Sequence, residues 1–216
     1  MNETNHRRDV EMERTLRAAL QAPTPEPPSI IDTATAAGLL DVAYARLDSP
    51  VGTLVLARTP QGLARLAYVE EGQEDAVLQD IATRLSPRML AAPARLDQPR
   101  RELDEYFAGR RQTFDLPLDL RLLGDFTRRV LTATAAIPYG QVSTYREVAA
   151  SAGSPRGFRA AGNALGSNPL PIVLPCHRVL HSSGGLGGYT GGLERKRILL
   201  AIERGEPAAL GHPAPA

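Results

Sequence analysis

The strongest local constraint in this chain is the stretch Asn168-Pro169-Leu170-Pro171-Ile172-Val173-Leu174-Pro175. Its prolines remove amide donors and forbid a helix, and the residues between them are apolar, so it reads as a short irregular segment buried in a core. It delivers Cys176 and His177 at its far end. Cys176 is the one cysteine among 216 residues, which excludes an intramolecular disulfide and any structural zinc site built from several thiolates. The thiol is therefore either a reagent or a small buried hydrophobe. A free thiol, with a pKa near 8.5, is only a few per cent thiolate at neutral pH, so a reagent cysteine needs a base, a nearby cation or a helix N-terminus. His177 can supply the base, directly or through water, and Glu203 can orient the imidazole from a C-terminal helix.

Charge divides the chain. The total of 25 basic and 24 acidic side chains gives +1, but residues from Arg121 onward sum to +6 and residues 1–120 to −5. Such asymmetry is one sign of a polyanion-facing half, and it is equally the sign of a solvated face. Every basic residue except Lys196 is arginine, which favours bidentate and stacking contacts. A hydrophobic content of 43% is enough for one large or two small cores. No run of about 18 apolar residues could cross a bilayer. The first residues (His6, Arg7, Arg8, Asp9, Glu11) lack the apolar stretch of a secretory signal, so a cytoplasmic protein is expected.

Residues 1–21 have the spacing of a short amphipathic helix, and Pro23-Thr24-Pro25-Glu26-Pro27-Pro28 reads as an extended linker. Strand patterns follow at Val42–Leu47, Thr53–Arg58 and Leu63–Val69, with turn residues between them, predicting an antiparallel meander. Helical spacing recurs at Ala76–Leu85 and Pro99–Ala108, and Phe114–Leu118 reads as another short strand. Residues 42–119 are thus expected to form a small α/β domain. After Asp125 the pattern turns helical: Phe126–Ala136, then Tyr145–Ala150 capped by Ser143 or Thr144 with Glu147 following. A further helix is predicted from Arg156 to Leu165, opened by Ser154 and Pro155. Two short helices around a glycine-containing turn make a helix-turn-helix pattern. The small residues Ala160, Ala161 and Gly162 would let that second helix approach a surface closely.

Taken in order, Tyr139-Gly140-Gln141-Val142-Ser143-Thr144-Tyr145, Arg159-Ala160-Ala161-Gly162, Asn168-Pro169, Pro175-Cys176-His177-Arg178-Val179, the glycine-rich run 184–192 and Glu203 closely resemble the O6-alkylguanine-DNA alkyltransferases, also called methylated-DNA–protein-cysteine methyltransferases. Ser49-Pro50-Val51-Gly52-Thr53 is similar to the N-terminal domain of that family, and the resemblance covers about residues 42–206.

The resemblance implies an α+β protein: an N-terminal extension and linker (1–41), a ribonuclease-H-like α/β domain (42–119), a mostly helical winged helix-turn-helix-type domain (120–206) and a tail (207–216). It implies direct reversal of DNA damage, with an alkyl group moving irreversibly from O6-alkylguanine, or O4-alkylthymine, to Cys176 after base flipping. His177 and Glu203 would draw off the thiol proton, Tyr145 would donate toward the departing guanine, and Asn168 would brace the loop. Arg159 would fill the vacated stack, and Thr144, Arg156, Ala160 and Gly162 would meet the minor groove of double-stranded DNA. Tyr189, Thr190 and Val179 would line the base pocket, and Arg178 would be structural. Phe158 departs from the small residue the family places before the inserted arginine. No cofactor, metal or membrane partner is implied. A monomer in solution is, and the sequence leaves cooperativity along DNA open. Two other classes compete: a Cys-His hydrolase, which would turn over repeatedly, and a damage-binding or regulatory DNA protein without transfer.

Overall fold

Leu54, Val55, Leu56 and Ala57 are all fully buried, so the strand that carries them has to be covered on both faces. That strand, β2 (Gly52–Thr59), lies inside a four-stranded sheet. It pairs antiparallel with β1 (Val42–Ser49) on one side and with β3 (Gly62–Val69) on the other, as the meander predicted. The three-residue β4 (Met89–Ala91) adds parallel to β1, completing the order β3-β2-β1-β4. On one face Val55 and Ala57 meet Ile81 of α2 (Glu74–Arg84). On the other, Leu54 and Leu56 join Leu103 and Tyr106 of α3 (Asp97–Phe107). That second cluster continues without a break through Leu131, Val148 and Ala161 to Cys176, so both halves of the chain share one core.

The computed structural model describes residues 30–206, so the predicted helix at 1–21 and the proline-rich linker lie outside the described residues. The described part opens with a short helix, α1 (Ile30–Ala36), tied to the α/β domain by an ion pair between Asp32 and Arg95. Among the described residues no helix is long and apolar enough to cross a membrane. The helical half contains α4 (Asp125–Ala135), α5 (Tyr145–Ser151), α6 (Phe158–Gly166) and α7 (Leu193–Glu203). Two-residue strands β5 (Ser143–Thr144) and β6 (Val179–Leu180) pair in parallel beside them. Thr144 caps α5 in a reciprocal box: its hydroxyl accepts from the Glu147 amide, and the Glu147 carboxylate accepts from the Thr144 amide.

Two sequence expectations need correction. Phe114–Leu118 is not a strand; Leu118 makes a single bridge to Leu63, because Pro117 has no amide with which to continue a ladder. The second helix of the pair starts at Phe158 instead of Arg156. Ser154 to Gly157 closes a separate turn through the Gly157 amide and the Ser154 carbonyl, 2.8 Å apart, so Pro155 occupies that turn and not the first helical position. Arg156 is therefore on the approach to α6, while Arg159 is in its first turn.

Candidate active site

The proline-bounded segment is held by one buried amide side chain. Asn168 Oδ1 accepts from the Leu170 amide at 2.9 Å, and its Nδ2 donates to the Leu174 carbonyl at 2.8 Å and to Cys176 Sγ at 3.2 Å. Backbone pairing reinforces it from the other domain, where the Leu66 amide of β3 donates to the Pro169 carbonyl at 2.8 Å. Inside this frame Ile172 adopts φ 74°, a left-handed conformation that a β-branched residue takes only when its surroundings over-determine it. The strain marks a segment shaped by its anchors, and its product is the placement of Cys176 at the start of a 3₁₀ turn, Cys176–Arg178.

Cys176 is 5% exposed, and burial pushes its thiol up to about 11, although Asn168, the Lys196 charge and nearby backbone amides all favour the thiolate. The resting group is a thiol. Its neighbour His177 is completely buried, and burial lowers its pKa despite the carboxylate beside it. His177 Nε2 lies 2.8 Å from Glu203 Oε1, whereas Nδ1 finds no hydrogen-bond partner among the described residues. Burial alone would raise the Glu203 carboxyl, yet the hydrogen bonds and charges of His177 and Arg178 hold it at about 2. An ionised carboxylate can only accept, so Nε2 carries the proton and Nδ1 presents a free lone pair.

Glu203 is the hub. It accepts from Arg178 in a fork (Nη2 to Oε1 2.8 Å, Nε to Oε2 2.9 Å), from the Tyr106 hydroxyl at 2.8 Å and from the Gly140 amide at 3.1 Å. Arg178 spends its remaining donor capacity on the Ile137 carbonyl, which fits the structural role expected for it. Lys196 is buried two turns before Glu203 on the same helix, with its ammonium donating to the carbonyls of Val179 (2.6 Å), Leu186 and Gly188. Burial draws that ammonium down to about 8.

The thiol opens into a cavity of about 300 Å³ lined by Tyr145, Gly162, Cys176, Gly188, Tyr189 and Thr190 among others. A second cavity of about 500 Å³, lined by Arg146, Phe158, Arg159 and His181, shares Tyr145, Gly162 and Gly188 with the first. One cleft thus runs from the α5–α6 surface inward to sulfur. Tyr145 stands at the junction: its ring rests on Gly162, and a Cβ on Gly187 would come within 2.6 Å of its hydroxyl, so glycine is required where the loop crosses it at φ 70°. Arg156, Arg159 and Ala160 are exposed at the outer end. Arg146 and Arg159 both lie over the Phe158 ring, at 5.7 and 5.8 Å. Thr144 is committed to its cap, and Val179 is fully buried outside the lining of either cavity, its carbonyl taken by Lys196.

The same layout occurs in known proteins. The 6-O-methylguanine DNA methyltransferase ribonuclease-like domain model matches residues 42–120, and the DNA-binding domain model of the same family matches 125–205. The methylated-DNA–protein-cysteine methyltransferase of Mycolicibacterium paratuberculosis is 42% identical over 170 residues, 78% of this chain and 97% of the relative. The chain belongs to the 6-O-methylguanine DNA methyltransferase family. Its constitutive relative in Bacillus subtilis is 37% identical, over 74% of this chain and 94% of that one. Among solved structures, the O6-methylguanine methyltransferase of Mycobacterium tuberculosis superposes with a TM-score of 0.66 at 39% identity, covering 78% of this chain and 96% of that one. A structure of the Mycobacterium tuberculosis protein in complex with DNA gives 0.64 at 38%, covering 76% and 93%.

Within this family member, three contributors to the site escaped the sequence reading. Tyr106 comes from the other domain, 97 residues from the carboxylate it meets, and no local pattern announces that pairing. Tyr68 likewise reaches the site from β3. Lys196 did carry a signal: it is the single lysine among 25 basic residues and stands seven positions, about two helical turns, before Glu203.

Proposed function

We propose that this chain repairs DNA by direct reversal, moving the alkyl group of O6-alkylguanine, or of O4-alkylthymine, onto Cys176. The observation that carries this reading is a buried thiol at the inner end of a cleft whose mouth is a helix-turn-helix surface, backed by a His177–Glu203 pair with a free imidazole nitrogen. Cys176 sulfur forms a bond to the alkyl carbon as the carbon–O6 bond breaks, and the bonding pair goes to the guanine. The thiol proton passes to His177 Nδ1, through a bridging water, and the guanine gains a proton as it leaves. Tyr145, at the junction of the two cavities, donates toward the departing base. A soft sulfur nucleophile suits attack on an alkyl carbon. The thioether product is a very poor leaving group, so each molecule acts once.

The base reaches sulfur by flipping out of the duplex, at a cost of a few kcal/mol that is smallest for a poorly paired base. The protein enters the minor groove with α6, where small Ala160 and Gly162 permit close approach, and Arg159 fills the gap. The +6 half supplies attraction to phosphates. It would act as a monomer, in the cytoplasm, where DNA is accessible to it.

Incubation with duplex DNA containing O6-methylguanine, followed by peptide mass mapping, tests the reading. One methyl per molecule on the peptide carrying Cys176 is the expected outcome. Tight binding with an unmodified peptide would leave a damage-binding protein, and repeated turnover would leave a hydrolase. Separately, Arg159→Ala should slow repair in duplex DNA about ten-fold, the scale of a lost stacking contact, while reaction with free O6-benzylguanine changes less than about two-fold. Equal losses on both substrates would remove the intercalation role.

A further inference from the structure

Between the two domains lies a pair of hydroxyls that the transfer chemistry above leaves unused. Tyr68, near the end of β3, reaches the glycine-rich loop and places its hydroxyl 2.7 Å from that of Tyr189, with the rings edge-on at 6.1 Å. Tyr189 is a wall of the inner cavity beside Cys176, and its ring stands edge-on to His177 at 6.4 Å. Tyr68 lines neither cavity; it is behind Tyr189 as seen from the cleft. Burial raises both phenols, so both keep their protons and one hydroxyl donates to the other.

Tyr68 is itself clamped from outside. The Arg195 guanidinium of α7 covers its ring at 4.9 Å. Arg195 also donates to Glu70 Oε1 (2.6 Å), to the Val51 carbonyl (2.7 Å) and to the Gly191 carbonyl (3.0 Å). Gly191 packs so tightly on Tyr68 that a Cβ there would come within 2.5 Å of the ring. The α/β domain therefore meets the loop directly through Tyr68, and indirectly through Val51 and Glu70, which hold the Arg195 that bonds Gly191; the grip ends on the hydroxyl of a pocket wall. Tyr189 packs its ring against the core and edge-on to His177, and its bond to Tyr68 is the one side-chain hydrogen bond it makes among the described residues, so that bond is what fixes the far end of the ring.

We infer that Tyr68 is a positioning residue for alkyl transfer, whose hydroxyl bond to Tyr189 fixes the pocket wall beside Cys176 and thereby sets the size of alkyl group accepted. This rests on the alkyltransferase reading above. A methyl group makes few contacts of its own, so its alignment between O6 and sulfur depends on a wall that does not move. Misplacement of reacting atoms by a fraction of an ångström costs rate steeply. A benzyl group makes its own contacts with a displaced ring and tolerates a looser wall.

The experiment compares single-turnover rates with O6-methylguanine and O6-benzylguanine, both in duplex DNA, for the native protein and for Tyr68→Phe, which keeps the ring. Methyl transfer should fall about ten-fold and benzyl transfer less than about two-fold, raising the benzyl-to-methyl ratio roughly five-fold or more. Tyr189→Phe removes the same bond from its other end and should raise the ratio equally, with no further rise in the double variant. An unchanged ratio in Tyr68→Phe, or a shift absent from Tyr189→Phe, overturns the inference while the native protein still transfers methyl. A native protein that leaves Cys176 unmodified by either DNA overturns the functional reading itself, and this inference with it.

Discussion

Exchange of Cys176 for serine is expected to abolish alkyl transfer, by at least about ten-thousandfold, while duplex binding stays within about two-fold of native. The substitution is nearly isosteric and retains an acceptor for Asn168 Nδ2, which now lies 3.2 Å from sulfur. What it removes is chemical. Burial already holds the thiol up to about 11, so the native site relies on proton removal during attack. A serine hydroxyl is a far weaker acid, and His177, whose pKa is lowered by burial, is too weak a base to ionise it. Arg159 and Ala160, proposed to face DNA, lie on the outer surface and are untouched. Transfer of a labelled methyl, read beside binding anisotropy on the same duplex, checks both halves. Residual labelling close to native would place the acceptor elsewhere.

The second large effect belongs to Glu203→Gln. The native carboxylate accepts from four groups, and a glutamine offers one oxygen and turns an amide donor toward Arg178 and His177. Arg178 is then a buried guanidinium with no counter-charge, the situation that costs about 3–5 kcal/mol. For a domain of this size that is a fall in Tm of roughly 10 °C or more at pH 7. Transfer should slow by about a hundred-fold or more, because nothing then fixes the proton on Nε2 and leaves Nδ1 free. The pH dependence gives an independent check. Glu203 is held at about 2 against an ordinary 4.5, so its stabilisation is fully present above 4.5 and is lost as pH falls toward 2. The variant should lack that acid-side loss, and calorimetry from pH 7 to pH 3 measures it. Parallel losses in both proteins would contradict the ion-pair assignment.

The elements whose pattern is local were legible in the sequence. Strand alternation and turn residues gave the β1–β2–β3 meander, and the cap at Thr144 gave the start of α5. The Pro175–Val179 string marked the turn that carries Cys176 and His177. What stayed hidden is long-range or negative. The strand β4 is three residues long, too short to show alternation, and exists because β1 offers it an edge. Pro155 carried the right residue for a helix start but was used in a turn one step earlier, since Gly157 closes onto Ser154 first. Within the site, the neighbours His177 and Cys176 were visible, while Tyr68 and Tyr106 are supplied by strands and helices a hundred or so residues away. Only packing of the two halves on one core brings those hydroxyls to the loop and to Glu203.

The arginine-for-lysine composition has an outcome in the finished fold. The chain's single lysine is turned wholly inward, where its ammonium ties β6 to the loop carrying Gly188. Histidines aside, every basic side chain offered to solvent or to phosphate is consequently a planar guanidinium that never sheds its charge. To reagents that acylate amines, the closed molecule presents no side-chain amine at its surface, and the one side-chain amine it has is the fastening that keeps the glycine-rich loop shut.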